Sequence, residues 1–128
     1  MRFLPALLCT IAILAASSDL FSSAHTGGWL NALLGNTLAP TALQVVNAAL
    51  RKAGHVTAYG LHAYLWMRAL RGERTWEPRL AIWAVVITFA VAAIDEFHQS
   101  FIPSRGGSPF DVLLDTCGAT LAVLLFRR

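Results

Sequence analysis

The chain has 128 residues, 56% of them hydrophobic and 13% charged, with a formal net charge of +3 and a mean hydropathy of +0.58. Soluble domains carry roughly 25% charged residues, so this balance points to a membrane and, at this length, to one domain. Its basic residues flank apolar runs and form no aromatic-interleaved patch, which excludes a nucleic-acid surface.

Residues 3–16 are an apolar run behind Arg2 and ahead of Ser17, Ser18 and Asp19. The run is read as a first transmembrane helix over about residues 3–18, in preference to a cleaved signal peptide, because three further apolar segments follow. Residues 19–50 are mixed. Ser22, Ser23, Thr26, Gly27 and Gly28 read as loop, and Trp29 as an interfacial anchor. Pro40 stands at a first helical position, followed by Leu43, Val46 and Leu50 at helical spacing. Short helices lying in the interface are expected here.

A second helix is expected over 51–70. Lys52, His55, Tyr59, His62 and Trp66 recur at three, four, three and four, so they share one face. That face turns toward protein, and Val56, Ala58, Leu61 and Leu65 turn toward lipid. An arginine-rich loop leads to a third helix over 80–101, stopped by Pro103. Ser108, Pro109 and Asp111 resemble a capping box opening a fourth helix over 109–126. Along it Asp111, Asp115, Gly118 and Ala122 share a face, and the Gly118/Ala122 pair admits a close helix neighbour. Arg127 and Arg128 mark the border. Cys9 and Cys117 lie in different apolar segments, with no CxxC and no metal-ligand spacing, and read as small buried apolar residues.

With four helices, Arg2, Arg68, Arg71, Arg74, Arg79, Arg127 and Arg128 fall on one side and Arg51, Lys52 and Arg105 on the other. The Lys/Arg bias then places both termini in the cytoplasm and the acidic stretch from Asp95 to Asp111 on the outer side. Carboxylates beside apolar helices need partners or water, and at membrane depth they mark a functional site by default. Asp95 and Gln99 share a helical face, while Glu96 points about 100° away toward a different neighbour. Arg105 is expected to bond Asp95, Glu96 or Asp111, with Lys52 and His55 brought to the same pocket. Three chemistries are open. Asp95 or Glu96 acts as general acid and base; Arg105 and Lys52 bind an anionic head group; or the charges pair to fix helix packing. A metal site from His55, His98 and the acids lacks a spacing signature, so no metal and no cofactor is assigned.

The stretch DEFHQSFIPSRGGSPFDVLLDTCGA resembles the signature of VanZ-like membrane proteins, roughly D-E-x-x-Q, P-x-R, D-V-L and G-A, through Asp95, Glu96, Gln99, Pro103, Arg105, Asp111, Asp115 and Gly118. Upstream, RKAGHVTAY is similar to the family's second block through Lys52, His55 and Tyr59, and the serines and Thr26-Gly27 after the first helix resemble its loop. The resemblance covers about residues 10–125, departing where Ser104 replaces a common glycine and where no glycine follows Ala119. It implies a single domain over 1–128: an all-α, integral membrane four-helix bundle with short interfacial helices in the first extracytoplasmic loop. The setting it implies is a bacterial plasma membrane, multi-pass, and the family's namesake contributes to teicoplanin resistance. Residues and resemblance together suggest an outward polar pocket for a membrane lipid or lipid-linked wall precursor. Its ligand-binding candidates are Lys52, His55, Tyr59, Asp95, Glu96, Gln99, Arg105, Asp111 and Asp115; the alternative is an intramembrane enzyme acting on a lipid-linked substrate.

Overall fold

In the computed structural model, residues 1–17, 23–35, 37–103 and 105–127 are described, apart from the side chains of Ser23 and Ala24. Ser18, Asp19, Ser22, Ser104 and Arg128, which the loop, motif and border readings used, lie outside them. The described residues form five helices and no strand: α1 (Leu4–Ala16), α2 (Ser23–Leu34), α3 (Pro40–Arg71), α4 (Pro78–Gln99) and α5 (Pro109–Leu125). The chain is all-α, as expected. Four helices carry a proline in their first turn: Pro5, Pro40, Pro78 and Pro109. There the missing N–H is no loss and the fixed φ favours the helix. At α5 the Ser108 hydroxyl also caps, accepting from the Phe110 N–H at 3.2 Å.

Two sequence expectations are corrected. Residues 40–50 are not a separate interfacial helix; they run without a break into 51–71, giving α3 32 residues. No proline interrupts the run between Ala42 and Leu50, and Gly54, just beyond it, costs only about 1 kcal/mol relative to alanine. Ser23, Thr26, Gly27 and Gly28 are not loop but part of α2. Packing overrides their weak propensity: α2 lies on α3, and a Cβ on Gly27 would stand 3.2 Å from the Asn47 side chain.

Helices α3, α4 and α5 pack pairwise. Helix α1 packs on α3 and α4 and does not touch α5. The α3–α5 crossing is close because both helices are small there. A Cβ on Gly118 would stand 2.8 Å from Val56 Cγ1 and 2.9 Å from the Val56 carbonyl oxygen. One on Gly60 would stand 3.6 Å from the Ala122 Cβ. Val56 therefore faces α5 and not lipid, whereas Leu61 is exposed as expected. Ala119, on a neighbouring face of α5, is equally buried, in a cluster with Ala63, Met67, Ala81, Ala84 and Val123. Cys117 is exposed and Cys9 half-buried, so neither is a core residue.

Helix α4 ends at Gln99, before Pro103. Phe101 and Ile102 turn tightly, their N–H groups bonding the carbonyls of His98 and Gln99 at 3.1 and 3.0 Å. Gly106 takes a φ of +75°, and a Cβ on Gly107 would stand 2.0 Å from the Glu96 carbonyl oxygen. Only glycine lets the turn lie this close over the end of α4. The start of α5 is thereby set beside the end of α4.

Among the described residues, α4 is the one helix long and apolar enough by composition to cross a membrane: 22 residues with a hydropathy of 2.0. Helix α1 is apolar but has 13 residues.

Candidate functional site

The polar residues that remain inside this apolar chain form two groups. The first joins three helices through His62. Its Nδ1 lies 2.8 Å from Thr88 Oγ1 on α4, and its Nε2 lies 2.8 Å from Thr10 Oγ1 on α1. Trp66 Nε1 donates to His62 Nε2 at 3.0 Å. Thr88 spends its own proton on the Ala84 carbonyl at 2.9 Å, so it accepts from His62 Nδ1–H. The Thr10 hydroxyl likewise bonds its own helix, at the Ala6 carbonyl 3.0 Å away; Trp66 Nε1 can only donate, so Nε2 accepts and the ring proton sits on Nδ1. Every polar atom of the ring is matched, which suits packing and leaves nothing for a ligand. The α3 stripe named His62 and Trp66; it missed Thr10 and Thr88, because a lone threonine in an apolar run carries no periodic signal.

The second group lies where the ends of α1, α4 and α5 meet the middle of α3. Asp95, 2% exposed, accepts at Oδ2 from the Tyr59 hydroxyl at 2.7 Å and from Gln99 Nε2 at 2.9 Å. Glu96 does face another neighbour: Oε2 accepts from the Ser108 N–H at 2.8 Å, tying α4 to the start of α5. Asp111 pairs with Lys52 across α3 and α5. Its expected role beside Ser108 in a capping box gives way to this ion pair, though its place in the first turn of α5 still favours the helix dipole. Asp115 is wholly buried and stands opposite His55, with Nδ1 and Oδ2 3.4 Å apart.

Arg105 Nη2 donates to the Ala16 carbonyl at 3.0 Å, closing the end of α1 against the α4–α5 turn. It walls a cavity of about 140 Å³ together with Lys52, His55, Glu96, Asp111 and Asp115. The donors to the carboxylates named for Arg105 include Tyr59, Gln99, the Ser108 N–H and Lys52. Beside this cavity lies a larger one of about 510 Å³, walled by apolar residues including Ile13, Leu30 and Leu50 and reaching Tyr59 and Asp95. Arg51, His55 and Arg105 line both.

All nine ligand-binding candidates therefore line one or other of two adjoining cavities. Sequence reasoning missed Arg51 as a wall residue, having counted it only toward topology. It borders Lys52, but its place on the helix turns it toward both cavities. The two acid–base candidates, Asp95 and Glu96, hold fixed donors that bind helices together.

The opposite end of the molecule is basic. Arg2, Arg68, Arg71 and Arg74 line a common cavity, and the Arg127 guanidinium lies 5.0 Å from the centre of the Trp76 ring.

No curated protein and no solved structure matches the chain. The family model described as VanZ/LLP1 matches residues 3–128, nearly the whole length. That match covers both blocks, 52–59 and 95–118, whose residues surround the two cavities. The chain belongs to the VanZ/LLP1 family, and together with the apolar α4 this membership suggests a membrane protein.

Proposed function

We propose that this protein is a single-domain, multi-pass component of a bacterial plasma membrane that binds an anionic amphiphile on its outer side. The amphiphile is a membrane lipid or a lipid-linked wall precursor. The observation that carries the reading is the pairing of cavities. An apolar groove of about 510 Å³ ends at Arg51, His55 and Arg105, which also wall the polar cavity. A prenyl or acyl chain fits the first and a phosphate head group the second. Arginine's planar fork matches phosphate oxygens two at a time.

The topology follows from charge and length. From Arg51 to Arg71 the continuous helix rises about 30 Å, one hydrocarbon thickness. With α1, the 51–71 part of α3, α4 and α5 crossing, the seven arginines at the basic end face the cytoplasm, as do both termini. Helix α2 and residues 40–50 then cover the outer mouth of the groove. In this position the protein meets the lipid-linked targets of glycopeptides. Contribution to teicoplanin-type resistance, as the VanZ resemblance implies, rests on that placement.

Native mass spectrometry of the detergent-purified protein tests the binding. An anionic lipid or polyprenyl phosphate should stay bound to the wild type. Arg105→Gln and Arg51→Gln should each lower its occupancy at least tenfold, with the helical circular-dichroism signal retained. Retention of zwitterionic lipid alone, or equal occupancy in both variants, would sink the reading.

A further inference from the structure

His55, Glu96 and Asp115 come from three different helices, yet each presents a ligand atom within 4.8 Å of the other two. Asp115 is wholly buried and lines the polar cavity, and among the described residues its Oδ1 has no hydrogen-bond partner. Among them Asp95 Oδ1 is also buried without a partner, but of the two only Asp115 stands within reach of a second carboxylate and an imidazole, so an ion is one occupant that would satisfy it. Glu96 is 5% exposed, and the Ser108 N–H orients it through one oxygen, leaving the other available.

The His55–Asp115 separation suits a shared ion better than a direct bond. At 3.4 Å it is long for an N–H···O contact, whose usual distance is about 2.9–3.0 Å. Two ligands about 2.0–2.1 Å from a tetrahedral ion lie about 3.3–3.4 Å apart. The charge balance also permits a cation. Asp95, Glu96, Asp111 and Asp115 line the two cavities against the fixed cations Arg51, Lys52 and Arg105, and Lys52 is engaged by Asp111. One negative charge is left over among the described lining residues.

We propose that His55, Glu96 and Asp115 bind one divalent transition-metal ion of the zinc class, with a fourth position open to the cavity that Gln99 and Arg105 also line. One imidazole and two carboxylates suit Zn²⁺, and Mn²⁺ less well. Three protein ligands are too few for Ca²⁺, which takes six to eight oxygens, and Mg²⁺ prefers to keep its water. Spacing along the chain could not show such a site, because each ligand sits on its own helix. The site stands on these three side chains and does not depend on the amphiphile.

The test uses the full chain in detergent, stripped with a chelator and titrated with Zn²⁺ alone against a metal indicator. One ion per chain should bind, with Ca²⁺ and Mg²⁺ failing to compete at a hundredfold excess. Asp115→Asn, Glu96→Gln and His55→Gln should each weaken binding at least tenfold, and His98→Gln should leave it unchanged. Should a ligand variant fail to fold, X-ray absorption of the zinc-loaded wild type decides instead. A first shell of nitrogen and oxygen with one imidazole supports the site, and sulfur from Cys9 or Cys117 overturns it. Less than stoichiometric binding, or affinity untouched in the folded ligand variants, also overturns it and leaves Asp115 Oδ1 to a proton.

Discussion

His62 shows how one residue can hold three apolar helices in register. Its two nitrogens reach Thr88 on α4 and the Thr10–Trp66 pair on α1 and α3. Hydrogen bonds between membrane helices average about 0.6 kcal/mol and reach about 1.7 kcal/mol, while a buried donor left unmatched costs about 1–3 kcal/mol. Thr88→Val removes the acceptor for His62 Nδ1–H and should lower stability by about 1–2 kcal/mol in a detergent unfolding titration. Thr10→Val should cost less, since Trp66 still bonds Nε2. Equal tolerance of both variants would remove the hub from the account of stability. Nitrogen-15 spectra of the histidine ring should show the proton on Nδ1; the Nε2–H tautomer would contradict the direction of the Thr88–Ala84 bond.

At the scale of elements, small residues decide which helices meet. Gly118 already lies so close to Val56 that even a methyl group intrudes. Gly118→Ala should destabilise by about 1–3 kcal/mol through overpacking. Gly118→Leu should abolish accumulation, and Thr120→Leu, on the exposed side, should be tolerated. Because Ala119 is wholly buried, Ala119→Leu should be nearly as harmful, against the expectation from the small-residue pair alone. Thermal melts of these variants check the ranking; a harmful Thr120→Leu beside a neutral Gly118→Ala would place the α5 contact on another face. The four-residue spacing of Gly118 and Ala122 was legible in the chain. That Ala119 is buried as well was not, since α5 packs on α3 and α4 together and so needs a face wider than one stripe.

On the whole molecule, the distribution of polarity is inverted relative to a soluble protein. Ile82, Trp83 and Leu125 are 62%, 60% and 75% exposed, while His62 and Asp115 are wholly buried. So much exposed apolar surface is unusual for a soluble monomer, and hydrocarbon around the helices, as proposed above, would account for it. Basic residues meanwhile gather at the end away from the cavities. With Cys9 and Cys117 replaced by alanine, a cysteine at exposed Pro103 should react with a membrane-impermeant thiol reagent on intact cells. One at exposed Glu73 should react only after lysis. The opposite pattern would turn the cavities toward the cytoplasm and overturn the outward amphiphile.

The sequence by itself determined that the chain is helical and strongly apolar, that Pro40 and Pro109 open helices, and that Lys52, His55 and Tyr59 share a face. These are local properties, set by hydropathy, backbone restriction and the 3.6-residue period, and they are written in neighbouring residues. Only the tertiary structure decided that residues 40–50 continue α3 and that glycine-rich 26–28 is helical. It alone paired Asp111 with Lys52 and Glu96 with the Ser108 N–H, and it alone set His55, Glu96 and Asp115 within one ion's reach. Each depends on how closely separate helices approach, which a few glycines and alanines set through contacts between residues far apart in the chain.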